Sequence, residues 1–148
     1  MSDLREQILV RLAAIALTAD GVQAAGRNSL EIAEGRMPAV MVLEGDEEPS
    51  PTTNEVRQRP THPIVMVMVP ELCIIANETA ADLGPTLNAI RASLINKVTT
   101  DSTLATMLGS NGRVVYRGMI SDLGIGRAML GRMALRFAVT YVLRPTEV

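Results

Sequence analysis

From Arg132 to Leu143 large apolar side chains stand at every second position. Met133, Leu135, Phe137, Val139, Tyr141 and Leu143 alternate with Ala134, Arg136, Ala138, Thr140 and Val142. Successive side chains of a strand point to opposite faces, so this pattern specifies a long strand with one face in a core and one mixed face. A sheet of this kind needs a second layer over its apolar face, and the rest of the chain must supply it.

Two segments have the period to do so. Leu83, Leu87, Ile90, Leu94 and Val98 fall at helical intervals and predict a core-packing helix over about Ala80 to Val98, with Gly84-Pro85 in its first turn. Leu4, Ile8, Leu12 and Ile15 predict another over about Asp3 to Leu17, with Ser2 as its N-cap. A short third helix is capped by Thr100-Asp101-Ser102 and ended by Gly109, after which Asn111-Gly112 turns the chain into a strand at Arg113-Val114-Val115-Tyr116.

The remaining strands are shorter. Val22 to Asn28 reads as a weak strand, and Ala39-Val40-Met41-Val42-Leu43 after Pro38 as a buried one. His62 to Val69 and Glu71 to Ala76 are β-rich, and Pro70 between them lacks a ladder donor, which predicts a bulge or an edge strand. Residues 45 to 61 hold three prolines and one lone apolar side chain, Val56, and read as a long mobile loop. The order helix, strands, helix, strands predicts one α+β domain, an antiparallel or mixed sheet with helices on one side and a closing β-hairpin.

With 148 residues and 47% hydrophobic content, such a domain can bury a core without disulfide or metal staples. Aromatics make up only 2%, so nine methionines and the branched aliphatics must fill it, and methionine also suits adaptable contact surfaces. The single Cys73 lies in the apolar run Leu72-Cys73-Ile74-Ile75 and reads as a small buried hydrophobe. The opening Met1-Ser2-Asp3-Leu4-Arg5-Glu6 is too charged for a signal peptide and no long apolar run follows early, which predicts a cytosolic product with no membrane partner.

Chemistry is harder to find. A net charge of −2 argues against neutralising duplex phosphates. Nucleophilic catalysis of the Ser/His/Asp or Cys/His kind needs a base, and the only histidine, His62, stands between Thr61 and Pro63 at a loop edge. Zinc has too few ligands, and Glu44, Asp46, Glu47 and Glu48 lack the register that folds carboxylates around calcium. Gly124-Ile125-Gly126 with Gly131 has the wrong spacing for a dinucleotide loop and reads as hairpin-turn glycine. Asn77-Glu78-Thr79 reads as a helix start. No catalytic, cofactor or metal site is expected.

What remains are contact candidates. Glu44, Asp46, Glu47 and Glu48 form a solvated acidic face, Arg57 and Arg59 lie in the long loop, and Arg127, Arg132 and Arg136 make a basic stripe. Arg132 and Arg136 share one face of the last strand, where they read as a solvated sheet face or as a docking surface for an acidic partner.

Arg27-Asn28, then Pro38-Ala39-Val40-Met41-Val42-Leu43-Glu44-Gly45-Asp46-Glu47, then Thr140-Tyr141-Val142-Leu143-Arg144-Pro145 resemble the tail terminator proteins of tailed bacteriophages, also called minor tail or tail completion proteins. The resemblance covers nearly the whole chain in element order. It implies an α+β subunit of a ring, usually a hexamer, that caps the head-proximal end of the tail tube, ends tube growth and receives the head connector. The implied partners are other copies, tube protein, connector or neck protein and, in a contractile tail, sheath. DNA would pass through the lumen without specific binding, and the acidic cluster would face it. The place of action would be the virion. The rivals are another head–tail neck adaptor and, from a different class, a small ligand-binding or hydrolytic enzyme, which would need a pocket with convergent polar groups.

Overall fold

The computed structural model describes residues 3–51, 62–123 and 129–145, with the backbone alone of Met129. It is α+β, as the sequence pattern predicts: a mixed sheet with helices packed on one face. The helices are α1 (Leu4–Leu17), α2 (Ala80–Thr100) and α3 (Ser102–Leu108). The strands are β1 (Ala24–Arg27), β2 (Ala39–Leu43), β3 (Glu47–Pro49), β4 (Ile64–Met68), β5 (Glu71–Glu78), β6 (Arg113–Leu123) and β7 (Met129–Leu143).

β7 organises the sheet. β4 and β5 lie antiparallel along one of its edges and β6 antiparallel along the other. β4 and β5 are two parts of one line: Glu71 faces Arg136 and Met68 faces Val139, three residues on in both strands, so the ladder is interrupted at Val69-Pro70 without being shifted. The Phe137 N–H donates to the Pro70 carbonyl at 3.3 Å across this gap. Pro70 thus sits inside a central line of the sheet and not at an edge, contrary to what its missing donor predicts.

The ladder irregularity lies one strand over instead, between β2 and β3. β2 pairs with β5 and β3 with β4. Three residues separate Leu43 from Glu47, whereas two separate their partners Glu71 and Met68, so one extra residue is accommodated at 44–46. Gly45 takes φ +70° there, and a Cβ on it would lie 2.0 Å from the Val69 carbonyl oxygen. A left-handed conformation and a backbone neighbour this close both require glycine. The Asp46 carbonyl, just beyond, accepts from the Val69 N–H at 2.9 Å. β1 completes the sheet, parallel to β2.

The expected loop over residues 45–61 is therefore corrected at its start, because Glu47–Pro49 is a strand paired with β4. Its expected mobility over 52–61, with Arg57 and Arg59, lies outside the described residues.

The helix side of the sheet is the main core. Met133, Leu135, Phe137, Val139 and Tyr141 of β7 are buried against Ile8, Leu12, Leu87, Ile90, Leu94 and Leu104 of the helices. Gly131 faces this layer too. A Cβ there would meet the Leu83 and Leu87 methyls at 2.9 Å, so this glycine is a packing residue inside β7 and not part of a turn; residues 124–128, including Gly124 and Gly126, lie outside the described residues. On the opposite face a smaller cluster of Ala24, Ala39, Met41, Cys73 and Ile75 packs under Ile32 and Met37, from the segment that leads into β2. Among the described methionines, Met41, Met66, Met68 and Met133 are buried, Met37 and Met107 are half-buried and Met119 is exposed, so methionine here serves the core more than the surface.

Candidate interaction surface

The expected acidic face is partly taken up inside the molecule. Arg5, projecting from α1, donates to the Glu44 and Gly45 carbonyls at 3.1 and 3.0 Å and to Glu47 Oε1 at 3.1 Å, so it clasps the bulge. The same Glu47 oxygen accepts from the buried Tyr141 hydroxyl at 2.6 Å. Burial first, and this acidic partner second, push the Tyr141 hydroxyl well above its ordinary pKa. Glu44 accepts from Asn28 at 2.9 Å and pairs with Arg27, which also pairs with Glu6. These bonds, the one from Asn28 foremost, hold the Glu44 carboxyl below the usual carboxylate range.

Glu44 and Glu47 are thus knots between α1, β1 and the bulge. The sequence places them beside Asp46 and Glu48 by adjacency alone, and it does not reveal that Arg5 and Arg27 arrive from far along the chain.

Arg132 and Arg136 do share a face, the one turned away from the helices, opposite Ile75 and Glu71 of β5. Arg136 is exposed, whereas Arg132 is half-buried, with its Nε lacking a hydrogen-bond partner among the described residues. Arg127 lies outside the described residues. His62 is exposed. Cys73 is buried, and that burial pushes its thiol pKa up, as for an inert core cysteine. Among the described residues no three His, Cys, Asp or Glu gather closely enough to hold a metal ion, and no helix is long and apolar enough to cross a membrane.

Two exposed apolar surfaces stand out instead, one on α1 and one on β6, within the closing hairpin that the sequence offers as an inter-subunit surface. On α1, Val10 and Leu17 are each 54% exposed, on the side of the helix opposite the buried Ile8, Leu12 and Ile15. With Ala14 and with Met107 of α3, Val10 lines a shallow groove edged by Glu6, Gln7 and Arg11. An α-helix that is apolar on both sides has more apolar surface than one core can use.

The other surface is β6. It pairs only with β7, so the polar groups of its outer edge have no strand beside them among the described residues. Val115 and Met119 are half-exposed, and Ile120 and Leu123 are 59% and 53% exposed. Because Val115 pairs with Ala138 and Met119 with Leu135, these side chains project from both faces of the strand. Apolar residues on both faces are the mark of an internal strand. Behind β6, among the described residues, Val65, Val67, Ala138 and Thr140 line a depression of about 610 Å³ with Arg113 and Arg117 at its margin. The sequence signal for this surface was the continuation of apolar residues past Tyr116 to Met119, Ile120 and Leu123, across Gly118.

No protein-family model matches this chain, and no curated protein matches it significantly.

Proposed function

We propose that this protein is a structural subunit that caps the head-proximal end of a phage tail tube as a ring of copies, ends tube polymerisation and presents the surface to which the head or neck docks. The observation that carries the reading is the apolar edge of β6 over Arg113–Leu123, unpaired among the described residues, since an exposed strand edge adds strands across a boundary between subunits. The α1 surface around Val10 and Leu17 supports it from a second side, because a ring held head-to-tail needs two different patches on each copy. The resemblance in the Arg27-Asn28, Pro38 to Glu47 and Thr140 to Pro145 segments names the tail end as the place where those patches are used.

A growing tube presents the same subunit surface at each round, so ending growth requires a ring that matches the tube on one face and differs on the other. Two of the four acidic residues assigned to the lumen, Asp46 and Glu48, remain without an ion pair among the described residues and are the ones left to repel passing DNA.

The test is deletion of the gene in its phage, with tube length measured by electron microscopy. Overlong tubes without heads are the expected result. Tails of uniform, normal length with heads attached would place termination in another protein.

A further inference from the structure

The sequence of β6 is complementary to itself. Between Tyr116 and Met119 the strand holds one residue more than β7 does between Phe137 and Leu135, so a bulge at Arg117-Gly118 shifts the alternation. Gly118 takes φ +100° there. On the near side Arg113 and Val115 face Thr140 and Ala138; on the far side Ile120 and Asp122 face Ala134 and Arg132. Thr140, Ala138, Ala134 and Arg132 all lie on one face of β7, so Arg113, Val115, Ile120 and Asp122 lie on one face of β6 and play the same part in its ladder. Without the bulge, Arg113 and Asp122 would point to opposite faces.

We infer that the outer edge of β6 pairs antiparallel with β6 of a second copy across a two-fold axis at the bulge, setting Arg113 opposite the partner's Asp122 and Val115 opposite the partner's Ile120. In this register Tyr116 meets the partner's Met119 on the helix side, and Arg117 meets the partner's Gly118, where the structure leaves open space. A two-fold perpendicular to the sheet keeps both helix layers on the same side, so the two sheets become one. Each half of the pairing carries an Arg–Asp pair at its end and apolar pairs inside, the arrangement that favours directly opposed residues on neighbouring strands. Neither Arg113 nor Asp122 is in an ion pair among the described residues, and both are exposed. The partner is identified by this complementarity: the segment that fits the edge in sign and in apolar content is the edge itself.

The pairing is separate from the tail-end reading. A two-fold contact closes at two copies, whereas a ring is head-to-tail. In the free chain the pair covers the same edge that a ring would have to use.

The experiment is light scattering on the purified full chain, with circular dichroism to verify folding. The wild type is expected at twice the 15.9 kDa chain mass. Arg113→Asp and Asp122→Arg alone each set like charges opposite one another and should weaken the pair about tenfold or more, whereas the double variant R113D/D122R should restore it. A folded wild type that is monomeric at every soluble concentration overturns the pairing. So does a dimer or ring unaffected by the single reversals, or a double variant that stays monomeric while folded. A ring that survives the reversals leaves the tail-end proposal standing, and a dimer restored in the purified double variant, together with normal tubes after deletion of the gene, removes that proposal alone.

Discussion

Gly45 is the residue at which the fold has least freedom. With φ +70° and the Val69 carbonyl oxygen 2.0 Å from a would-be Cβ, Gly45→Ala must move backbone and not merely side chain. The expected loss is about 2 kcal/mol or more in urea denaturation, and an unchanged midpoint would disprove the bulge. Tyr141 makes a different prediction. Its raised pKa means that the fold prefers the neutral phenol, so its contribution is complete below the unfolded value of 10.0 and is lost as pH rises past it. Thermal unfolding between neutral pH and pH 11 should show stability falling in the alkaline limb, and Tyr141→Phe should flatten that limb at a cost of about 1 kcal/mol for the lost hydrogen bond. Neither role is legible in the sequence. Gly45 follows an apolar run as any turn glycine does, and the carboxylate that receives the Tyr141 hydroxyl lies 94 positions away.

At the scale of elements, α1 tests whether its two sides are different in kind. Leu12 is fully buried, and Leu12→Ala should cost about 2–5 kcal/mol. Val10→Gln and Leu17→Gln, at positions more than half exposed, should each change the monomer's stability by no more than about 0.5 kcal/mol. Equal losses on both sides, read from urea midpoints, would mean that the outer side is not free. Asp101 joins two helices: it caps α3 by accepting from the Leu104 N–H at 2.8 Å and holds Arg11 of α1 through two bonds, at 2.9 and 2.6 Å. The Arg11 contact, the larger cause, keeps the Asp101 carboxyl below its ordinary range. Its stabilisation is therefore present above the unfolded carboxylate value and disappears as pH falls through the folded one. Asp101→Asn should weaken the acid dependence of unfolding, and Asp101→Ala should add about 1 kcal/mol for the lost cap. The regular elements were legible here because pattern reports burial: α1, α2 and β7 carry their core residues at helical or alternate spacing, and β2 is a continuous apolar run buried on both faces. β3 was not, since Glu47-Glu48-Pro49 has no apolar pattern and is a strand only because a bulge returns the chain to the ladder. Pro70 misled for the same reason, as its missing donor is tolerated where a neighbouring line is already irregular.

For the whole molecule, the central position of β7 decides how it comes apart. Phe137 is fully buried between the helix layer and the sheet, and Phe137→Ala should lower stability by about 3–5 kcal/mol, enough to lose cooperative unfolding in a domain of this size. The placing of β7 also has a consequence for the order in which the protein can be made. A ribosome releases β1 to β6 before the strand that joins them, so β4, β5 and β6 wait with bare edges until residues 129–143 emerge and fill the space between them. Long-range pairing of this kind is slow and leaves sticky intermediates. Nascent chains halted before Met129 should therefore be protease-sensitive throughout the sheet, whereas chains extended far enough to free Leu143 from the exit tunnel should become resistant in a single step.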